Sequence, residues 1–179
     1  MSQEGLWLID VQGRLLECFR DQEKLLASLQ FSLDFAALAD LPILVTEQVP
    51  DRLGTTDKRL KLPQSATLFS KASFSGVKDL DVLNYLESSP VRKWWLCGIE
   101  THICVLLTAL DLQSQGMAVG VLGDCVGARE PHRHEMGLQR MKQAAIEVAH
   151  SESFAYGNMQ SSTHPKFKEL LELVKQRGL

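Results

Sequence analysis

Cys104 is the residue in this sequence best placed to act as a nucleophile. It follows the apolar run Trp94–Gly98, which is typical of a buried strand, after a short turn over residues 99–103. The apolar residues after it predict a helix over Cys104–Ser114. A cysteine at the start of a helix faces free backbone N–H groups and the positive end of the helix dipole, and both favour the thiolate. We therefore expect an activated thiol; the alternative is a buried cysteine that only fills space.

Two charged residues could assist this thiol, because each lies at the carboxyl end of a predicted strand. Asp10 ends the run Gly5–Asp10, and Lys71 ends the run Thr67–Lys71. If the three side chains converge, Asp10 can take the thiol proton and later deliver it to a leaving amine. Lys71 can lower the pKa of the thiol and hold the carboxylate in place. Such a triad is the chemistry of a hydrolase.

The turn before Cys104 offers the remaining catalytic part. The backbone N–H groups of Glu100 and Cys104 could both face a substrate carbonyl and form an oxyanion hole. Further candidates for contacts with the substrate belong to this turn or follow the strands that carry Asp10 and Lys71; they are Gln12, Phe74, Ile99 and Thr101. Gln12 has a second interpretation, in which its amide only supports Asp10. His102 is not assigned as a partner of the thiol, because residues two positions apart do not share a helix face.

The order of predicted elements indicates an α/β fold. The predicted strands are Gly5–Asp10, Pro42–Glu47, Thr67–Lys71, Val91–Cys97, Met117–Gly123 and Ile146–Ala149. The predicted helices run from Asp21 through Ala36 and over Asp79–Leu86, Cys104–Ser114, His134–Ala145 and Pro165–Gln176. This alternation predicts a single three-layer domain over residues 1–179, with a six-stranded, mainly parallel sheet flanked by helices. Sites in such sheets form beyond the carboxyl ends of the strands, and the irregular stretch Gln48–Ser65 is expected to be a loop over that edge.

Composition excludes several classes of protein. The chain has 179 residues, 45% of them hydrophobic, and a net charge of -3, so we expect one globular domain without nucleic acid as a partner. The start Met1–Glu4 has no leader pattern, and no apolar run is long enough to span a membrane. A G-x-G-x-x-G turn is missing after the first strand, which disfavours a dinucleotide. The four cysteines lack a pairing pattern, and we expect a cytoplasmic protein with free thiols.

Three segments resemble the isochorismatase-like cysteine hydrolases, and their spelling is most similar to the isochorismatase domain-containing proteins of that family. They are Leu8–Gln12, Ser70–Ser75 and Gly98–Val105, within a match that runs from about Leu6 to Lys175. The resemblance implies a six-stranded parallel fold and a catalytic set of Asp10, Lys71 and Cys104. It also implies a cis peptide bond between Ile99 and Glu100 that aims the Glu100 amide into the oxyanion hole.

The same resemblance implies an activity: hydrolysis of a C–N bond in a small amide or carbamoyl compound through a thioester, by a protein that forms a homo-oligomer. Nicotinamidase-type members bind zinc through an aspartate and two histidines after the second strand, but residues 47–65 contain no histidine. We therefore expect no metal and no cofactor. Two alternatives stay open, a catalytically silent binding or scaffold protein and a thiol redox sensor.

Overall fold

A six-stranded sheet forms the centre of the structure, a computed structural model that describes residues 4–177. Its strands are β1 (Glu4–Ile9), β2 (Ile43–Gln48), β3 (Thr67–Lys71), β4 (Lys93–Ile99), β5 (Ala118–Gly127) and β6 (Glu147–Ala149). They lie in the order β3-β2-β1-β4-β5-β6, and every neighbouring pair is parallel. The central strands are apolar because helices cover both of their faces.

Helices connect the strands and cover the sheet. They are α1 (Gly13–Leu16), α2 (Gln22–Leu38), α3 (Pro50–Leu53), α4 (Leu80–Ser88), α5 (Leu106–Ser114), α6 (Pro131–Gln143), α7 (Ser151–Met159) and α8 (Phe167–Gln176). A 3₁₀ turn spans Gly76–Lys78, and a π-helical turn spans Thr101–Val105 immediately before α5.

The two faces of the sheet carry separate hydrophobic clusters. One cluster contains residues of α2, α7 and α8, such as Leu29, Phe154 and Leu170, together with Trp95 of β4. The other contains residues of α4, α5 and α6, together with Trp94. The two neighbouring tryptophans point to opposite faces, as the period of a strand requires. Both faces therefore anchor the strand that leads to Cys104.

The predicted fold class is confirmed, whereas several element boundaries differ. Three helices were not predicted: α1 and α3 have only four residues each, and α7 follows β6 without a clear apolar period. The strand β5 continues to Gly127, four residues beyond the predicted end. Leu96 pairs with Val121 but Gly98 pairs with Val126, so β5 contains a bulge. The bulge brings polar residues such as Asp124 into the strand, and these residues interrupt the apolar run from which the strand was predicted.

Met1–Gln3 and Gly178–Leu179 lie outside the described residues. The expectations about the first residues of the chain, and about a domain that runs over residues 1–179, extend to these positions and stay predictions. Among residues 4–177, no helix has both the length and the apolar character to cross a bilayer.

Candidate active site

Polar side chains from neighbouring strands meet at the carboxyl edge of the sheet. Asp10 directly follows β1, Gln48 is the last residue of β2, Lys71 is the last residue of β3, and Glu100 follows β4. Strands in a sheet lie about 4.8 Å apart, so β3 lies roughly 10 Å from β1. Gln48 and Lys71 are register partners, and the long lysine side chain extends past β2 to reach Asp10. The parallel topology thus brings together charges that are 61 residues apart in sequence.

Asp10 and Lys71 form a buried ion pair. The ammonium Nζ lies 2.6 Å from Asp10 Oδ2, and neither side chain has exposed surface. Lys71 Nζ also donates to Gln48 Oε1 at 2.6 Å and to the carbonyl oxygens of Ser73 and Phe74 at 3.1 and 3.3 Å. A buried charge is costly unless it is paired and hydrogen-bonded, and this ammonium is both.

The second oxygen of the Asp10 carboxylate is free to act. Oδ1 is buried and has no hydrogen-bond partner of ordinary geometry among residues 4–177. It is still close enough to Cys104 for the carboxylate and the thiol to shift each other's pKa. Burial raises the pKa of Asp10, although Lys71 and hydrogen bonding oppose this effect. A carboxylate with one oxygen tied to Lys71 and the other close to the thiol of Cys104 is well suited to accept its proton.

The backbone at Asp10 keeps the carboxylate in this position. Asp10 has a φ of 54°, a left-handed conformation that is uncommon outside glycine but tolerated by aspartate. Its N–H donates to the Thr46 carbonyl at 2.9 Å, and its own carbonyl accepts from the Gln12 N–H at 2.8 Å. These bonds fix the turn that ends β1.

Cys104 is buried next to this ion pair but retains 7% of its surface exposed. Burial raises the pKa of its thiol to about 12, and the negative charge of Asp10 adds to this rise, while Lys71 opposes it. The expectation of a thiol with a lowered pKa is therefore wrong. Cys104 lies inside the π-helical turn rather than at the start of α5, and the desolvation of the sulfur outweighs the nearby positive charge. At rest the thiol keeps its proton.

The turn that precedes Cys104 has the predicted backbone. The peptide bond between Ile99 and Glu100 is cis, as the resemblance implied. The N–H of Glu100 has no acceptor among residues 4–177 and is available to a substrate oxygen. Gly98 has a φ of 120°, and a Cβ at this position would lie 2.1 Å from the Ile9 carbonyl oxygen. Only glycine permits this close approach of β4 to the end of β1.

Two contacts from the segment before and within α6 hold the turn. The carboxylate of Glu100 accepts from the Arg129 N–H at 3.0 Å and lies 3.4 Å from the Arg129 guanidinium. The Thr101 hydroxyl lies 2.9 Å from His134 Nδ1. The side chains of Glu100 and Thr101, which follow the free amide, are therefore tied to the loop that leads into α6 and to α6 itself.

The four residues predicted to contact the substrate have different positions. Ile99 is fully buried in the cluster on the α2 face, and the hydroxyl of the fully buried Thr101 is already bonded to His134. Both are unsuited to bind a substrate through their side chains. Phe74 is 61% exposed beside Lys71 and remains a candidate.

Gln12 supports the loop rather than a substrate. Its Nε2 donates to the carbonyl oxygens of Gln48 and Gly54, and its Oε1 accepts from the Gln48 N–H at 2.8 Å. The Gln12 amide is fully buried and has bonds at both of its polar atoms, and its partners belong to Gln48 and Gly54 rather than to Asp10. Its contacts fasten the segment after β2 over the carboxyl edge.

Gln48 is a site residue that the sequence analysis missed. Its Oε1 accepts from Lys71, and its Nε2 donates to the Ala72 carbonyl at 2.7 Å. It therefore helps Asp10 to orient the ammonium. The only signal in the sequence was its position directly after the predicted strand Pro42–Glu47, as the first residue of the irregular stretch Gln48–Ser65.

Histidines contribute little to this centre. His102 has an unpartnered Nδ1, and burial lowers its pKa; the charges that affect it belong to Glu100 and to neighbouring arginines, not to Cys104. Within residues 4–177, no cluster of three or more histidine, cysteine or acidic side chains has the arrangement of a metal site. All four cysteines carry free thiols.

Comparison with known proteins identifies relatives along most of the chain. The profile of the family described as "Isochorismatase domain" matches residues 4–153. Isochorismatase domain-containing protein 2A from Mus musculus is 35% identical over 175 residues, which cover 96% of this chain and 82% of that protein.

Solved structures have the same fold. The MAR1 ribonuclease from Caenorhabditis elegans superposes with a TM-score of 0.90 and 30% identity, over 98% of this chain and 92% of that one. The ycaC gene product from Escherichia coli, an octameric hydrolase of unknown specificity, has a TM-score of 0.78 and 19% identity. That alignment covers 98% of this chain and 96% of that one.

Proposed function

This chain belongs to the isochorismatase family of hydrolases, and we propose that it is a cysteine hydrolase that cleaves a C–N bond of a small amide or carbamoyl compound. The family and the domain-containing branch named from the sequence motifs are both confirmed by the mouse relative. The observation that carries the more specific proposal is the buried Asp10–Lys71 pair, with one free carboxylate oxygen beside the thiol of Cys104.

In the proposed first step, Asp10 acts as the general base. Its free Oδ1 accepts the proton of the Cys104 thiol while Sγ forms a bond to the substrate carbonyl carbon. The carbonyl π electrons move to oxygen, and the N–H groups of Glu100 and Cys104 stabilise the resulting oxyanion. Because Asp10 removes the proton as the new bond forms, the mechanism does not need a thiolate in the resting enzyme. This is consistent with a thiol pKa of about 12.

In the second step, the oxyanion collapses and the C–N bond breaks. Asp10 delivers its proton to the leaving nitrogen, so the amine leaves neutral and a thioester remains on Cys104. Water then attacks the thioester carbonyl as Asp10 removes one of its protons, and the C–S bond breaks. The sulfur regains the proton, and the acid is released. Lys71 keeps its charge throughout and stabilises the ionised form of Asp10 between steps.

Two alternatives from the sequence analysis compete with this mechanism. A redox sensor depends on a thiolate that reacts with peroxide, and the raised pKa of Cys104 disfavours it. A silent binding protein would have no need for a buried ion pair held beside a buried thiol, because burying these charges is costly. The ribonuclease activity named for the C. elegans protein is not proposed for this chain, because a net charge of -3 provides no overall attraction for RNA.

The proposal also covers the substrate, cofactors, partners, location and oligomeric state of the protein. The substrate is small and amide-like, the reaction needs no metal or cofactor, and nucleic acid and membranes are not partners. We also propose a cytoplasmic location and a homo-oligomeric state. The free thiols favour the first, and the octameric state of the E. coli protein motivates the second.

A direct test is release of ammonia from a panel of small primary amides and ureido compounds. We expect turnover of at least one compound, and Cys104→Ala should reduce it by roughly 10³-fold or more, because the nucleophile is removed. Acid quenching should leave an acyl adduct on Cys104 that mass spectrometry detects. Cys18→Ala is the matched control, since Cys18 is exposed and should be dispensable. Turnover that survives in Cys104→Ala would contradict the mechanism, and a panel without any turnover would favour the binding protein.

A further inference from the structure

A cavity opens at the carboxyl edge of the sheet, beside the turn that leads into α2. Its volume is about 420 Å³, within the range of small-molecule sites in proteins. Its walls come from the segment before α2, the first turn of α2, the end of β5 and the start of α6. The lining residues that matter most are Phe19, Arg20, Lys24, Leu25, Arg129 and His134.

This cavity is distinct from the proposed reaction centre. None of the residues Asp10, Lys71 and Cys104 lines it. Cys104 packs in the cluster on the α5 face of the sheet, whereas Phe19 and Leu25 of the cavity belong to the cluster on the α2 face. The cavity touches the centre only indirectly, because Arg129 contacts Glu100 and His134 contacts Thr101.

The charges of the wall favour an anion. Arg20 and Lys24 have no ion-pair partner among residues 4–177, whereas the charge of Asp124 is compensated by the Arg177 guanidinium at 2.6 Å. Asp21 also lines the cavity, and its negative charge opposes the binding of an anion. Arg129 adds a third cation, although its guanidinium also lies 3.4 Å from the carboxylate of Glu100.

The floor of the cavity is apolar. Phe19, Leu25 and Val126 contribute hydrophobic surface, and Leu25 and Phe19 pack directly against the backbone of Gly127, where an added Cβ would lie 2.9 Å from Leu25. Burial lowers the pKa of His134, so its ring adds no charge near neutral pH. An apolar floor beneath unpaired cations is the arrangement that accepts a carboxylate with a hydrophobic body.

We propose that this cavity is a second binding site, separate from the reaction centre, for a small carboxylate with an apolar body. The carboxylate contacts Arg20, Lys24 and Arg129, and the body packs on Phe19 and Leu25. Because Arg129 also contacts Glu100, a ligand bound here adjoins the turn that offers the proposed oxyanion hole.

The test is isothermal titration calorimetry with benzoate, phenylacetate and octanoate on the whole protein. At least one of them should bind with one site per chain, and benzyl alcohol should bind at least about tenfold more weakly, because it lacks the charge. Arg20→Gln combined with Lys24→Gln should weaken carboxylate binding by at least about tenfold. Lys168→Gln is the matched control; it removes an exposed cation of α8 and should leave binding unchanged.

Alkylation of Cys104 with iodoacetamide separates this site from the reaction centre when it is carried out on the Cys18→Ala variant, because the exposed Cys18 adjoins Phe19 of the cavity. Binding should persist in the alkylated protein, because Cys104 does not line the cavity. Loss of binding after alkylation would assign the carboxylate to the reaction centre and overturn the proposal, as would the absence of binding by all three carboxylates. No turnover is needed for this readout, so its result is independent of the amide hydrolysis test.

Discussion

At the scale of single residues, the candidate site depends on two buried charges and one neutral thiol. Lys71 compensates Asp10 within a fully buried pair at 2.6 Å, and the same carboxylate raises the pKa of Cys104. The carboxylate of Asp10 therefore opposes ionisation of the thiol and also serves as its proposed base. A mutation that removes the carboxylate makes the thiol easier to ionise, yet it removes the proposed base. Reactivity toward an alkylating reagent and catalytic turnover therefore report on different properties of this centre.

We predict that Asp10→Asn accelerates alkylation of Cys104 severalfold at pH 8 but abolishes amide turnover. Without the negative charge, the pKa of the thiol falls and the thiolate fraction rises at any pH below about 12. Lys71→Met should slow alkylation, because the lysine lowers the same pKa. Labelling rates from mass spectrometry measure both effects.

The control for this experiment addresses folding. Each single variant leaves an uncompensated buried charge, which costs about 3–5 kcal/mol of stability. The double variant Asp10→Asn/Lys71→Met removes both charges and should be more stable to urea than either single variant. Slower alkylation in a folded Asp10→Asn protein would contradict the electrostatic description.

At the scale of elements, the turn over residues 100–105 is held against α6. Besides the contacts of Glu100 and Thr101, the backbone of α6 itself approaches the turn at Gly137. A Cβ on Gly137 would lie 3.0 Å from the Cα and N atoms of His102 and from Thr101 Cγ2. Glycine here lets the helix pack directly on the segment that carries the free amide of Glu100, and a Cβ would push against that segment.

We predict that Gly137→Ala lowers amide turnover by about ten- to hundredfold, because a small displacement of the turn misplaces the oxyanion donors. The alanine improves helix propensity by about 1 kcal/mol, so the free energy of unfolding should change little as the two effects offset. Gly157→Ala is the matched control. Gly157 lies in α7, and a Cβ added there would meet open space, so this change should stabilise the protein and leave turnover intact.

Urea unfolding and steady-state kinetics on both variants measure these quantities. Equal turnover in Gly137→Ala and the parent protein would mean that the turn does not depend on its contact with α6.

At the scale of the whole molecule, three exposed apolar side chains belong to two segments that contact each other. Phe74, Leu80 and Leu107 are 61%, 70% and 39% exposed. The segment that contains the first two contacts α5, through the Gly76 N–H bond to Thr108 Oγ1 at 3.0 Å and through the ion pair of Lys78 with Asp111. Grouped apolar side chains of this kind mark association surfaces in soluble proteins.

We predict that the protein elutes as a multiple of its 20.0 kDa chain in size-exclusion chromatography with light scattering. Leu80→Lys combined with Leu107→Lys should shift it toward the monomer, because buried like charges oppose association. Met136→Lys is the matched control, since Met136 is 55% exposed on α6. A monomeric parent protein would refute the homo-oligomer, and an equal shift in Met136→Lys would move the interface elsewhere.

Much of this architecture could be predicted from local patterns. The apolar runs that end at Asp10, Lys71 and Gly98 identify the strands, and the parallel topology then requires their carboxyl ends to share one edge. The convergence of Asp10 with Lys71 follows from that rule. The bulge in β5, the helix α7 and the π-helical turn were not predictable in the same way, because their residues obey long-range packing rather than a local period.

The sequence alone determined the order of the elements, the chemical types at the strand ends and the family, because each depends on residue identity and spacing. Tertiary structure alone decided the burial that raises the pKa of Cys104, the bonding of Gln48 to Lys71, and the burial and internal bonding of Gln12, Ile99 and Thr101. Burial and hydrogen-bond partners arise from segments that are distant along the chain. A shifted pKa or a buried polar atom without a partner therefore arises only once those segments have packed together.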